Sequence, residues 1–365
     1  MDFLQEVGIF FAEAAILVTA ILIAFAGIVA MSQRRRDGDE GYIEVRQVNE
    51  RYKSYQDTLA SLVEPIEGTK LRKKAEKKAQ KIARKAAKKA AKLVAKKDAK
   101  QTIDSLEDDT VSTARPRLFV LDFDGDMQAS QVEALREEIS VVIPAATEND
   151  EVLIRLESPG GLVHGYGLAA SQLQRLRDAN ISLTVAVDKV AASGGYMMAC
   201  VATRIIAAPF AVLGSIGVIA QLPNFHRLLK KNDIDFELYT AGQYKRTLTM
   251  FGENTDKGRA KFVEELEDTH TLFKSFVAEN RSVVDIDQVS TGEVWYGQQA
   301  LEVRLIDEIS TSDSYIQQRL KDVDVLEIRY QFKKNWQERL GFSVENALYR
   351  AALKLWQQGT SRRLP

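Results

Sequence analysis

An α/β fold, with parallel strands joined by crossover helices, is the architecture that this chain predicts from residue 115 onward. The first observation behind it is a set of short apolar runs, Leu118–Leu121, Val152–Leu156 and Leu183–Val187, that end at polar or glycine-rich positions as buried strands do. The second is what lies between them. Ser130–Val142 places Val132, Leu135, Ile139 and Val142 at helical spacing, Gly165–Arg177 forms another helix, and Ser193–Ala202 follows the third strand as the next. Strands that alternate with helices pair in parallel, because a parallel connection needs a crossover.

The 365 residues leave room for one compact domain with appendages. Residues 1–36 are expected to be a membrane anchor. Ala14–Met31 carries no charge over a length that can span a bilayer as a helix, with Asp2, Glu6 and Glu13 before it and Arg34, Arg35 and Arg36 after it. A cleaved secretory signal has its positive charge before the apolar run, so this order predicts a retained single-pass anchor. The three arginines, read by the positive-inside rule, point to the cytoplasmic face.

Residues 37–114 are expected to be a linker and a helical stem. Between Lys70 and Lys100 there are 15 Lys or Arg against Glu76 and Asp98 alone, with no Gly or Pro and much alanine. Such a run is helical once its charges are screened, and near a membrane each basic residue is attracted to anionic lipid by about 1 kcal/mol. It contains no aromatic residue on which a base could stack, so no nucleic-acid partner is expected. The net charge of −1 hides this polarity; outside the stem and Arg34–Arg36, 32 basic residues face 49 acidic ones.

Candidate chemistry concentrates in three segments: Ser158-Pro159-Gly160-Gly161, Ala192-Ser193-Gly194-Gly195-Tyr196 and Gly242-Gln243-Tyr244-Lys245. The first offers glycine backbone that can face an oxyanion, the second a serine among small residues at a tight turn, and the third a lysine. A serine hydroxyl needs a base to become nucleophilic, and lysine serves only when neutral, which requires burial or nearby positive charge. The rival base is histidine, of which there are three: His164 close to the first segment, and His226 and His270 in polar helical contexts. Cys200 is the sole cysteine, which excludes an intrachain disulfide and paired-cysteine zinc sites; among Met197, Met198 and Ala199 it reads as a core thiol. No metal and no cofactor is expected.

The strings ESPGG, ASGGYMMAC, APFAVLGSIGVI, AGQYKR and VWYGQQALEVRLIDEI, in that order over Arg117–Ser310, resemble the signal peptide peptidase A family of membrane serine-lysine proteases, and the anchor and basic stem narrow the likeness to its shorter SohB type. The resemblance implies a fold of the ClpP and crotonase type, built from repeated ββα units over residues 115–325. It implies Ser193 as nucleophile, Lys245 as general base, Gly160 with the Gly194 amide as oxyanion donors, and Ser215 as the residue that orients the lysine. Substrates would be spent signal peptides or misfolded exported chains. It also implies an inner-membrane enzyme whose catalytic domain faces the periplasm, against the arginine signal, and a homo-oligomeric ring with serine and lysine contributed by adjacent protomers. The C-terminal segment 326–365, with an amphipathic helix over Glu345–Trp356, would dock on a neighbour. Ser310 stands where the family usually has glycine. Two other readings share the fold: a catalytically silent membrane scaffold, which predicts a broken dyad, and acyl-CoA chemistry of the crotonase type, which leaves Ser193 and Lys245 without a role.

Overall fold

The computed structural model describes residues 41–63, Lys78, Lys85 and 115–332. The chain divides into a compact unit of residues 43–330 and a second unit made of residues 1–42 and 331–365, of which only Gly41, Tyr42, Gln331 and Phe332 are described. The expected anchor, almost all of the basic stem and the expected C-terminal helix lie outside the described residues. Among the described residues no helix is long and apolar enough to cross a membrane.

The alternation read from the sequence is the frame of the larger unit. Strand β2 (Arg117–Asp124) leads through helix α2 (Val132–Ala145) to β3 (Glu151–Glu157), and helix α3 (Val163–Asp178) leads on to β4 (Ser182–Val187). β2, β3 and β4 pair in parallel, and β6 (Arg204–Ala207) joins β4 in the same sense. The seven-stranded sheet is completed by β9 (Glu308–Ile309) on one side, and by β10 (Asp324–Gln331) and β1 (Tyr42–Gln47) on the other. β1 and the helix α1 after it (Val48–Val63) fall in residues that read as linker, so the sheet extends to a segment with no strand signal of its own.

Strand side chains alternate between faces, and here both faces are covered. Phe119, Leu121 and Phe123 enter the main core with α2 and α3, whereas Leu118 and Val120 pack on the other face with Val48 of α1 and Tyr315 and Ile316 of α9 (Ser312–Arg319). Burial on both sides explains why the runs read from the sequence in these strands are nearly continuously apolar, interrupted only by Arg155 and Thr184.

A second, three-stranded sheet carries the turns that matter for chemistry. β5 (Val190–Ala192) runs parallel to β7 (Val212–Gly214), which pairs antiparallel with β8 (Val294–Tyr296). β5 is also tied to the end of β3: the Ser158 N–H donates to the Val190 carbonyl at 2.8 Å and the Ala192 N–H to the Ser158 carbonyl at 3.0 Å. The turns after two strands, Ser158–Gly161 and Ala192–Gly195, are thereby brought side by side.

Candidate active site

Ser193 sits between β5 and the short helix α4 (Gly194–Ala199) with φ 51° and ψ −117°, a conformation that residues with a Cβ rarely adopt. Such strain costs on the order of 1–3 kcal/mol and persists only where the surroundings enforce it. They do so here. The Ser193 N–H donates to the Gly214 carbonyl of β7 at 2.7 Å, and its carbonyl accepts from the Met197 N–H at 3.0 Å. The Ser193 hydroxyl is partly exposed and makes no hydrogen bond with any described residue.

Gly160 is the neighbour that this geometry requires to be glycine. Its φ is +91°, and a Cβ there would lie 2.7 Å from Ser193 Cβ, 2.8 Å from the Ala192 carbonyl oxygen and 2.9 Å from the Gly194 nitrogen. The backbone thus approaches the serine as closely as atoms allow. The Gly160 N–H donates to Ser158 Oγ at 3.1 Å. The Gly194 N–H, first in α4, has no acceptor among the described residues, as is usual for the opening donors of a helix. Gly194 must also lack a side chain, because its Cβ would meet the Tyr166 ring at 2.4 Å.

Behind the turn runs a buried relay that sequence reasoning missed. Gly160 N–H donates to Ser158 Oγ, the Ser158 hydroxyl donates to Tyr166 Oη, and the Tyr166 hydroxyl donates to the Asp126 carbonyl at 2.8 Å. Ser158 and Tyr166 are fully buried, and burial pushes the Tyr166 phenol above its ordinary value, so it stays protonated and keeps donating. The one sequence signal for Ser158 was its place immediately before Pro159-Gly160.

An apolar cavity of about 420 Å³ opens at Ser193. Val163 and Gly167 of α3, Met197 of α4, and Leu272, Phe273 and Phe276 of the long helix α6 (Asp256–Asn280) form most of its walls. Gly217, Val218 and Ile219 close one side, and the His270 ring nitrogen Nε2, 3.2 Å from the Ile216 carbonyl oxygen, ties that loop to α6.

Lys245 stands apart from this group. It lies in an exposed turn, its own N–H bonded to the Gly242 carbonyl at 3.2 Å, and its ammonium makes no hydrogen bond or ion pair with any described residue, Ser193 included. Ser215 adopts φ 49° beside the Gly214 that holds Ser193, with its N–H donated to the Glu293 carbonyl at 2.7 Å, and makes no hydrogen bond to Lys245. His164 is exposed and none of the three histidines bonds to Ser193. Cys200 is fully buried and its thiol is pushed up to about 12 by burial, which suits a core residue. No cluster of His, Cys, Asp and Glu able to hold a metal occurs among the described residues.

With this geometry in hand, the relatives are informative. "Peptidase family S49 N-terminal" matches residues 2–173, and "Peptidase family S49" matches residues 175–326. The chain belongs to peptidase family S49. The two matches meet inside α3, so they divide the sequence rather than the fold. A "Probable protease SohB" of Haemophilus influenzae is 49% identical over 346 residues, covering 95% of this chain and 94% of its own. A "Putative protease SohB" of Buchnera aphidicola subsp. Baizongia pistaciae is 42% identical over 354 residues, covering 96% and 98%. The resemblance to the SohB type therefore holds over nearly the whole length. Among solved structures, a mutant of the 1510-N membrane-bound stomatin-specific protease aligns at a TM-score of 0.41 with 12% identity, over 59% of this chain and 98% of its own.

Proposed function

We propose that this peptidase is a membrane-anchored serine endopeptidase that works through a Ser193–Lys245 dyad and cleaves signal-peptide remnants or misfolded exported polypeptides. One observation carries the reading: a strained serine with an unengaged hydroxyl, an open amide on the next residue and a large apolar cavity at its side. Strain of this kind at an exposed nucleophile serves to present the hydroxyl to a carbonyl.

In the proposed mechanism Ser193 Oγ attacks the substrate carbonyl carbon as its proton passes to neutral Lys245 Nζ. The oxygen that becomes negative is met by the Gly194 N–H, with the Gly160 N–H shared between Ser158 Oγ and the oxyanion; one such donor contributes about 3 kcal/mol. Collapse expels the amine, which takes the proton from Lys245, and leaves an ester on Ser193. Water then attacks the ester as its proton passes to the same lysine, and the C–Oγ bond breaks, with Ser193 taking that proton back as the acid is released. Ser215 holds the lysine in line.

For this to occur Lys245 must come to a serine. Ten large apolar or aromatic side chains between Ile219 and Phe251 are exposed, Tyr239 at 86% and Ile219 at 79% among them. An apolar surface of that extent on a single chain favours a partner surface. A homo-oligomeric ring that covers this segment and delivers Lys245 from a neighbour meets both needs, with the residue 14–31 anchor holding the ring at the inner membrane and the catalytic domain in the periplasm. The test is peptidase activity of the detergent-solubilised full chain on apolar peptides. Ser193→Ala and Lys245→Ala should each lose activity with fold and oligomer retained, and co-assembly of the two variants should restore part of it. Full activity in Lys245→Ala would remove the lysine from the mechanism.

A further inference from the structure

Within α3, Val163, Gly167 and Ser171 are spaced four residues apart on one helix face, and all three line the cavity that opens at Ser193. Glycine inside a helix is less stable than alanine, because its backbone loses more freedom on folding. At most buried positions such a glycine is explained by a close neighbour. Gly165, two residues earlier, is of that kind, since its Cβ would lie 2.7 Å from the Gln128 carbonyl oxygen. Gly167 differs. A Cβ built on it meets nothing within 4 Å, its φ is ordinary for a helix, and the space it leaves is the cavity itself. Packing does not ask for glycine at 167, and helix stability argues against it.

We propose that Gly167 sets the size of side chain that this peptidase accepts at the residue whose carbonyl Ser193 attacks, keeping the cavity deep enough for a large apolar one such as Leu or Phe. The proposal rests on the reading of Ser193 as nucleophile. The occupant follows from position: the cavity ends at Ser193 and Gly194, so the side chain next to the attacked carbonyl is the part of a peptide that reaches it. Its chemistry follows from the walls. Met197, Leu272, Phe273 and Phe276 offer no charge, and a charged side chain would be desolvated there without a partner.

The experiment compares full-length wild type, Gly167→Ala and Gly167→Leu in detergent on peptides identical except for Ala, Leu or Phe at that one position. Filling an apolar pocket by even a methylene changes discrimination by roughly tenfold or more, so Gly167→Leu should cut the Phe-over-Ala ratio of kcat/KM by at least ~10-fold, and Gly167→Ala should shift it less in the same direction. Gly167→Ala should also raise Tm, which a glycine needed for packing would not do; being the smaller change, it decides the matter if the leucine variant does not fold. A ratio left unchanged in both variants, or a fall equal for all three peptides, overturns the proposal. Failure of the underlying reading looks different. If Ser193→Ala still cleaves, or wild type cleaves nothing, the nucleophile assignment falls. Equilibrium binding of the Phe and Ala peptides to Ser193→Ala with and without Gly167→Leu then decides the cavity on its own, with loss of the Phe preference as the supporting result and its retention as the refuting one.

Discussion

Tyr166→Phe isolates one hydroxyl and asks what the relay behind the serine contributes. The ring is fully buried, and its edge contact with Phe123, at 6.4 Å between centroids, survives the substitution. What is lost is the bond to the Asp126 carbonyl at 2.8 Å and the acceptor for the Ser158 hydroxyl. Each buried polar group left without a partner costs about 1–3 kcal/mol, and allowing for some relaxation the pair should cost about 3 kcal/mol. For a folded unit of this size 1 kcal/mol moves Tm by about 2–4 °C, so a fall of about 6–12 °C is expected in a thermal melt. Activity should fall further than stability explains. Ser158 then loses the partner that fixes its hydroxyl, and with it the anchor of the Gly160 N–H beside Ser193; a displacement of 1 Å near a reacting centre can cost ~10²-fold. The assay pairs the melt with kcat/KM below the new Tm. A melt within a degree or so of wild type together with full kcat/KM would refute the account of the relay as the support of the turn.

Gly160→Ala should abolish peptidase activity, by ~10²-fold or more, and lower Tm, because the new Cβ meets three backbone and Cβ atoms at 2.7–2.9 Å at a φ of +91°; steady-state kinetics on the folded variant checks it. Cys200 should resist iodoacetamide in the native chain at around pH 8 and react once the chain is denatured, since alkylation needs the thiolate and burial pushes this thiol up to about 12; mass spectrometry of the labelled chain reads the outcome. Glu138 predicts a pH dependence of stability. Its carboxyl is buried, one oxygen accepts the Tyr330 N–H at 2.7 Å, the other has no partner among the described residues, and burial first, with Asp122 adding repulsion, raises it from 4.5 to about 7. The folded chain then holds a proton that the unfolded chain has released, so this contribution is present below about pH 4.5 and is lost as pH rises through about 7, at most ~3 kcal/mol in all. Denaturant titrations at about pH 5 and pH 8 should show that loss in wild type and a much flatter response in Glu138→Gln.

What could be read in the residue string follows from how local each feature is. Leu118–Leu121 and Val152–Leu156 announce strands because a parallel sheet buried on both faces writes a nearly continuous apolar run, and Val132, Leu135, Ile139 and Val142 announce a helix because its inner face repeats at 3.6 residues. Ser193, Gly160 and Gly194 drew attention as small residues at tight turns, and the structure sets them side by side: a serine at positive φ with backbone packed against it leaves room only for small residues. β1 was not. Tyr42–Gln47 is a half-exposed strand at the end of the sheet, with a burial pattern that keeps no alternation, so nothing in YIEVRQ separates it from linker. Tyr166 was hidden differently: in the sequence it is one more apolar residue on α3, and only the fold turns its hydroxyl toward Ser158. Lys245 is the instructive case. Its sequence context marks it as strongly as Ser193, yet it emerges exposed, in a segment from Ile219 to Phe251 whose large apolar side chains stay largely exposed even where Phe225 and Phe236 stack on Phe251. On the proposed ring reading, the exposure of Lys245 in a single chain is what a lysine that serves another copy's serine would show.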